Sequence, residues 1–254
     1  MSLDLTPNPG AAPARTRIAR HVVMELRLLS RQGEQLLLTL IIPLMVLIGG
    51  SKAGNILDTD TPLDLIFPGV LALAVVSMSF TSLAIATGFA RRYGVLKHLG
   101  ATPLSPQGLL WGKALAIIAA EIVQFAVFVC TALLLGWRSP PSTNWFALAG
   151  LLFLGTIAFA ALALLLAGAY RAEITLALAN LLFVLALAFG GIVMPTDRLP
   201  AVMAPVMAYS PTGALGDGMR AVLFEGAFPA VQLVVLSVWA VVASLACVRW
   251  FRWE

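Results

Sequence analysis

Long uncharged apolar runs alternate with short charged stretches along this chain. Gln35 to Ser51 carries no charge, and its apolar run continues past Lys52 to Leu57. Leu65 to Ala90, Ala114 to Arg138 with one acid inside, Ser139 to Tyr170, Ile174 to Thr196 and Gly226 to Val248 follow. A helix crossing roughly 30 Å of hydrocarbon needs about 20 mainly apolar residues, so the pattern predicts six transmembrane helices. The runs are continuous rather than alternating, which favours helices over barrel strands. The predicted fold is an all-α integral membrane protein.

Two stretches depart from this pattern. Between Arg198 and Asp217 lies LPAVMAPVMAYSPTGALG, uncharged and nominally long enough to cross. Crossing it would make seven spans, and Pro200, Pro205 and Pro211 would each remove a backbone donor from the helix. The segment 195–225, entered at Pro195, is therefore predicted to be a re-entrant helical hairpin on the outer side, before the last span. Ser210 reads as an N-cap with Pro211 at the first helical position, which would make Asp217 and Arg220 neighbours one turn apart. The other departure is residues 15–34, where Ile18, Val22, Leu26 and Leu29 recur at helical spacing while Arg17, Arg20, Arg27 and Arg31 fall mainly opposite. That is an amphipathic helix lying in the membrane interface, an anchor to anionic lipid and a platform for a cytoplasmic partner. Residues 1–14, rich in Pro and Ala without an apolar core, are expected to be a disordered start and not a cleaved leader. Residues 35–254 form the predicted six-span domain.

Composition agrees with this picture: 60% of residues are hydrophobic and 11% charged, against roughly 25% charged in soluble domains. The formal charge of +4 does not imply a nucleic-acid partner, because it is explained by topology. Arg15, Arg17, Arg20, Arg27, Arg31, Arg91, Arg92, Lys97, Lys113, Arg171, Arg249 and Arg252 all fall on one side of a six-span arrangement. Lys52, Arg138, Arg198 and Arg220 are left for the other, so both termini are expected in the cytoplasm. Cys130 and Cys247 lie within apolar runs and read as small hydrophobes.

Catalytic constellations are missing from the sequence. It contains no HExxH and no GxSxG, and its histidines, His21 and His98, lie outside the spans. GALGD, Gly213 to Asp217, has Ala214 where an intramembrane aspartyl protease would need glycine, and no second aspartate lies in a span. GLLWGK, Gly108 to Lys113, has three residues between its glycines rather than four and Ala114 after the lysine, so it is not a phosphate-binding loop. No catalytic residue, metal site or bound cofactor is expected; if the chain is part of an active transporter, its ATPase, with ATP and Mg, must be another polypeptide. Glu121 is the one acid inside a predicted span, with Gln124 a turn further on. A charge there costs on the order of 3 kcal/mol on insertion scales, so it should face protein or water. Glu121, Gln124, Thr156 and Asn180 are candidates for a translocation pathway, or for interhelical hydrogen bonds to Glu121.

Two motifs carry a family resemblance. RRYGVLKHLGATPLSPQGLLWGK, Arg91 to Lys113, joins the second and third spans, and MPTDRLPAVMAPVMAYSPTGALGDGMRAVL, Met194 to Leu223, precedes the last. Together they resemble the permeases of the ABC type-2 exporter family, whose members export drugs, polysaccharides or lipids. The resemblance implies that the loop 91–106 is a coupling helix docking on a cytoplasmic ABC ATPase. Arg91, Arg92, Gly94, Leu96, Lys97 and Leu99 would be its docking positions, and Thr102, Pro103, Leu104 and Ser105 the turn back to the membrane. Family members commonly carry an acid before the glycine; here Arg91, Arg92 and Tyr93 hold no carboxylate, so docking would be basic and apolar. It also implies a second permease subunit, identical or related, a surrounding bacterial cytoplasmic membrane, and export of a small drug-like or lipid-like amphipathic substrate. The Gly190–Gly191 pair would allow close helix approach at the seam between subunits. A secondary carrier or membrane scaffold without an ATPase is the alternative.

Overall fold

The computed structural model describes residues 12–31, 33–52, 62–100, 102–103, 106–192, 195–196 and 199–250. The expectations for residues 1–11, for Leu104 and Ser105, and for the side chains of Leu96 and Leu99 lie outside the described residues.

The regular structure of the described residues is all helical, without a strand. α1 (Ala14–Arg31) is followed by α2 (Gly33–Gly50), then by the long α3 (Pro62–Arg92) and the short α4 (Val95–Gly100). α5 (Pro106–Leu134), α6 (Trp145–Ala169) and α7 (Ala172–Phe189) come next, before α8 (Ala204–Ala208), α9 (Pro211–Arg220) and α10 (Ala230–Trp250). Five of these, α3, α5 from Trp111, α6, α7 and α10, are long and apolar enough to cross a membrane. The apolar part of α2, Thr39–Gly50, is shorter. No described helix between Leu199 and Glu225 is long enough to span, because α8 runs for 5 residues and α9 for 10.

Position along the helices is legible in the exposed aromatics. Trp111, Tyr170 and Trp250 are exposed at the end of the bundle that carries Arg91, Arg92, Arg171 and Arg249. Trp145, Phe146 and Phe228 are exposed at the opposite end. The amphipathic Trp111, Tyr170 and Trp250 at one end and Trp145 at the other fit the belts expected at membrane–water boundaries.

α3 is the axis of the bundle: its apolar span is 89% buried, against 17% for α7 and 28% for α10. Its first half packs on α2, α5 and α9, and its second half on α6 and α7. Between the halves, Val76–Ser82 is wound as a π-helix. Ser79 Oγ donates to the Val75 carbonyl at 2.5 Å and Ser77 Oγ to Ala74 at 3.2 Å, supplying partners where the ordinary ladder is displaced. Pro43 and Pro68 lie inside α2 and α3, a placement tolerated where neighbouring helices and side chains satisfy the freed backbone.

α9 is the second buried element. Ser210 caps it, its Oγ accepting from the Gly213 amide at 3.0 Å, and Pro211 follows at the first helical position. Glycine is required at the contacts: a Cβ on Gly216 would meet the Gly191 carbonyl, and one on Gly69 of α3 the Ile192 carbonyl. Gly190 and Gly191, expected at a seam between subunits, have a place within this chain. They end α7, Gly190 as its C-cap and Gly191 at φ +72°, and their backbone packs within the subunit.

Candidate functional site

At the basic end, α3 stops because Gly94 takes φ +72°, after which α4 begins as a separate helix. Arg91 points back into the protein, its Nη1 donating to the Ala167 and Gly168 carbonyls at 2.9 and 2.6 Å. The last carbonyls of α6 have no intrahelical partner and carry the negative end of its dipole, so a guanidinium there caps the helix. Arg92 pairs with Glu173 at the start of α7 and lies 5.9 Å from the Tyr93 ring. Tyr93, Lys97 and His98 are exposed, as are Thr102 and Pro103. Of the basic residues expected to face a partner, Arg92 and Lys97 are exposed, and Arg92 is paired with Glu173.

A contact that sequence reasoning missed fastens α1 to α5. Lys113 Nζ sits 2.8 Å from Glu25 Oε1, and His21 Nε2 lies 3.5 Å from the same oxygen. Lys113 and His21 are 4% and 5% exposed. The His21 ring lies so close over Gly112 that a Cβ there would overlap its Cδ2. Glu25 is the only acid of α1, and that isolation on a basic helix was the available signal.

Glu121 is buried at 2% exposure on α5. One carboxylate oxygen accepts from Thr156 Oγ1 of α6 at 2.5 Å, and the other has no hydrogen-bond partner among the described residues. One turn on, Gln124 Nε2 donates to the Thr39 carbonyl of α2 at 2.9 Å. Three of the four expected pathway residues thus converge where α2, α5 and α6 meet. Asn180 is exposed on α7, apart from them.

At the other end, Arg220 is buried at 3% exposure. Its Nη1 donates to the Ile192 carbonyl at 3.0 Å, and its Nη2 to the Gly191 carbonyl and, at 2.7 Å, to Asp217 Oδ1. Asp217 in turn accepts from the Thr196 amide at 3.3 Å and from the Thr196 hydroxyl. The pair one turn apart expected on α9 is present, and it clasps the chain that leaves α7. Of the hairpin prolines, Pro195 and Pro211 are half-buried and Pro200 is exposed.

A cavity of about 720 Å³ opens between α6 and α7. Val76 and Phe80 of the π-helical segment form its floor. Phe159, Leu162 and Leu166 of α6 and Leu182, Leu185 and Phe189 of α7 form its sides. Met203 and Met207, with Ser210 and Thr212 at the α9 cap, close the end away from the arginines. None of Glu121, Gln124, Thr156 or Asn180 lines it. The lining is drawn from five helices and is almost wholly apolar, which no single run of the sequence discloses. No group of three or more metal-ligating side chains occurs among the described residues.

Residues 20–224 match the model of the ABC-2 type transporter family. No curated protein matches the chain.

Proposed function

The chain belongs to the ABC-2 type transporter family and is a multi-pass membrane transport component, and we propose that it is a half-transporter exporting an amphipathic, drug-like or lipid-like molecule. In this reading two such subunits, identical or related, sit in a bacterial cytoplasmic membrane with both termini inside. Two cytoplasmic ATPases hold ATP and Mg and supply the energy.

The observation that carries the substrate class is the apolar cavity between α6 and α7, about 720 Å³. Its volume lies in the range of small-molecule pockets, which run from roughly 300 to 1,000 Å³. The Ser210 and Thr212 hydroxyls give a few polar points at one end of a greasy groove, suited to a molecule with an apolar body and a small polar part.

The coupling reading rests on α4, exposed at Lys97 and His98 just beyond α3, with Tyr93 exposed in the turn before it. α3 continues from there through the bundle to Gly69, which packs against the Ile192 carbonyl held by Arg220. A push on α4 would therefore reach both the floor of the cavity and the outer clasp through one helix, as in switching by rigid-body shifts.

The test is reconstitution with the ATPase from a neighbouring reading frame, followed by a scan of amphipathic compounds for stimulated ATP hydrolysis. Wild type is expected to respond to a subset of them, and Leu185→Trp, which fills the cavity, to lose that response. Equal stimulation of wild type and Leu185→Trp by every active compound would overturn the cavity as the substrate site.

A further inference from the structure

A second cavity, about 420 Å³, opens at the basic end of the bundle and is lined by Gly88, Arg91, Arg92, Arg171, Ala172 and Glu173. We propose that it binds the phosphate group of an anionic membrane lipid. The lining residues carry three guanidinium groups and one carboxylate, an excess of two positive charges. Arg91 commits one terminal nitrogen to the end of α6, and Arg92 commits one to Glu173. Each keeps further N–H donors in a planar fork suited to phosphate oxygens. The Arg171 side chain makes no hydrogen bond or ion pair with any described residue, only its backbone carbonyl accepting from the Thr175 amide. Its side chain does not cap α7 either, which leaves the first amides of that helix open to an anion.

Two further observations favour a lipid over a free ion. The cavity lies at the level of the exposed aromatic belt, with Tyr170 adjacent in the chain to Arg171. Ala169 and Tyr170 also line the apolar groove between α6 and α7. A phosphate seated on the arginines therefore stands where apolar surface begins, and an acyl chain attached to it has a groove to enter. The proposal does not depend on the ATPase, the direction of transport or the exported substrate.

The experiment is native mass spectrometry of the purified full-length chain, delipidated and titrated with phosphatidylglycerol or with phosphatidylcholine. Wild type is expected to retain phosphatidylglycerol in preference to phosphatidylcholine. Arg171→Gln should weaken that retention roughly fivefold, the contribution of one basic residue near an anionic lipid surface. Glu173→Gln, which removes the competing carboxylate, should strengthen it. Both positions are exposed, so the variants should match wild type in monodispersity, and the opposite signs separate a site effect from a folding defect. Equal retention of the two lipids, no change in Arg171→Gln, or displacement of phosphatidylglycerol by millimolar inorganic phosphate would each overturn the assignment.

Discussion

Lys113 and Glu25, 88 positions apart in sequence, form a buried ion pair at 2.8 Å that fixes the amphipathic helix α1 to the start of α5. Breaking one side leaves an uncompensated charge in the contact, at a cost of about 3 kcal/mol. Lys113→Met should therefore lower the melting temperature of the detergent-solubilised protein by several degrees. The double exchange Glu25→Lys with Lys113→Glu should recover part of that loss. An unchanged melting temperature in Lys113→Met would show that the pair does not hold α1.

Arg220 draws its effect from geometry as well as charge, since its two terminal nitrogens reach two carbonyls and Asp217 together. Lysine cannot reproduce a planar fork. Arg220→Lys is expected to destabilise the protein nearly as much as Arg220→Met, and to expose 199–203 to limited proteolysis. Protection equal to wild type in Arg220→Lys would mean that charge alone suffices.

Gly69→Ala would drive a methyl group into the Ile192 carbonyl, a backbone atom that side-chain rotation cannot move aside. Overpacking of this kind costs typically 1–3 kcal/mol. By contrast, Gly49 has open space around its Cβ position, and Gly49→Ala should be neutral or mildly stabilising in the same melt.

Thr156→Val removes the hydroxyl that donates to Glu121 and leaves a buried carboxylate with less compensation. The expected loss is about 1–3 kcal/mol. Thr156→Ser, which keeps the donor, should stay within about 1 kcal/mol of wild type, and this comparison separates the hydrogen bond from packing. A similar loss in both variants would show that packing around this side chain matters as much as its hydrogen bond.

Lys97→Glu reverses the charge of an exposed side chain on α4 and should leave thermal stability within about 0.5 kcal/mol of wild type. Co-purification with the ATPase and ATP-dependent efflux should both fall. Retention of both would remove α4 from the docking surface.

Elements that depend on local pattern could be read from the sequence. The apolar runs located α3, α5, α6, α7 and α10, and the Ser210–Pro211 cap and the Asp217–Arg220 pair follow from adjacent residues. What depends on contacts between distant positions could not. Arg91 looks like any basic residue in a loop, yet its partners are carbonyls at Ala167 and Gly168. The Glu25–Lys113 pair and the apolar cavity have the same character. The Gly190–Gly191 pair carried an ambiguity of a different kind: close approach and helix termination both call for glycine, and φ +72° at Gly191 shows termination.

The π-helical segment of α3 bears on how one helix can serve so many neighbours. A π turn holds roughly one residue more than an α turn, and each α-helical residue advances the side-chain direction by about 100°. Inserting Val76–Ser82 therefore shifts the phase of everything downstream relative to everything upstream. The sectors that Phe67 and Val70 present to one set of partners and that Thr87 and Gly88 present to another are set independently of each other. Rewinding that one segment as a regular helix would rotate the arginine-bearing tip against the glycine-bearing half without breaking the rod between them.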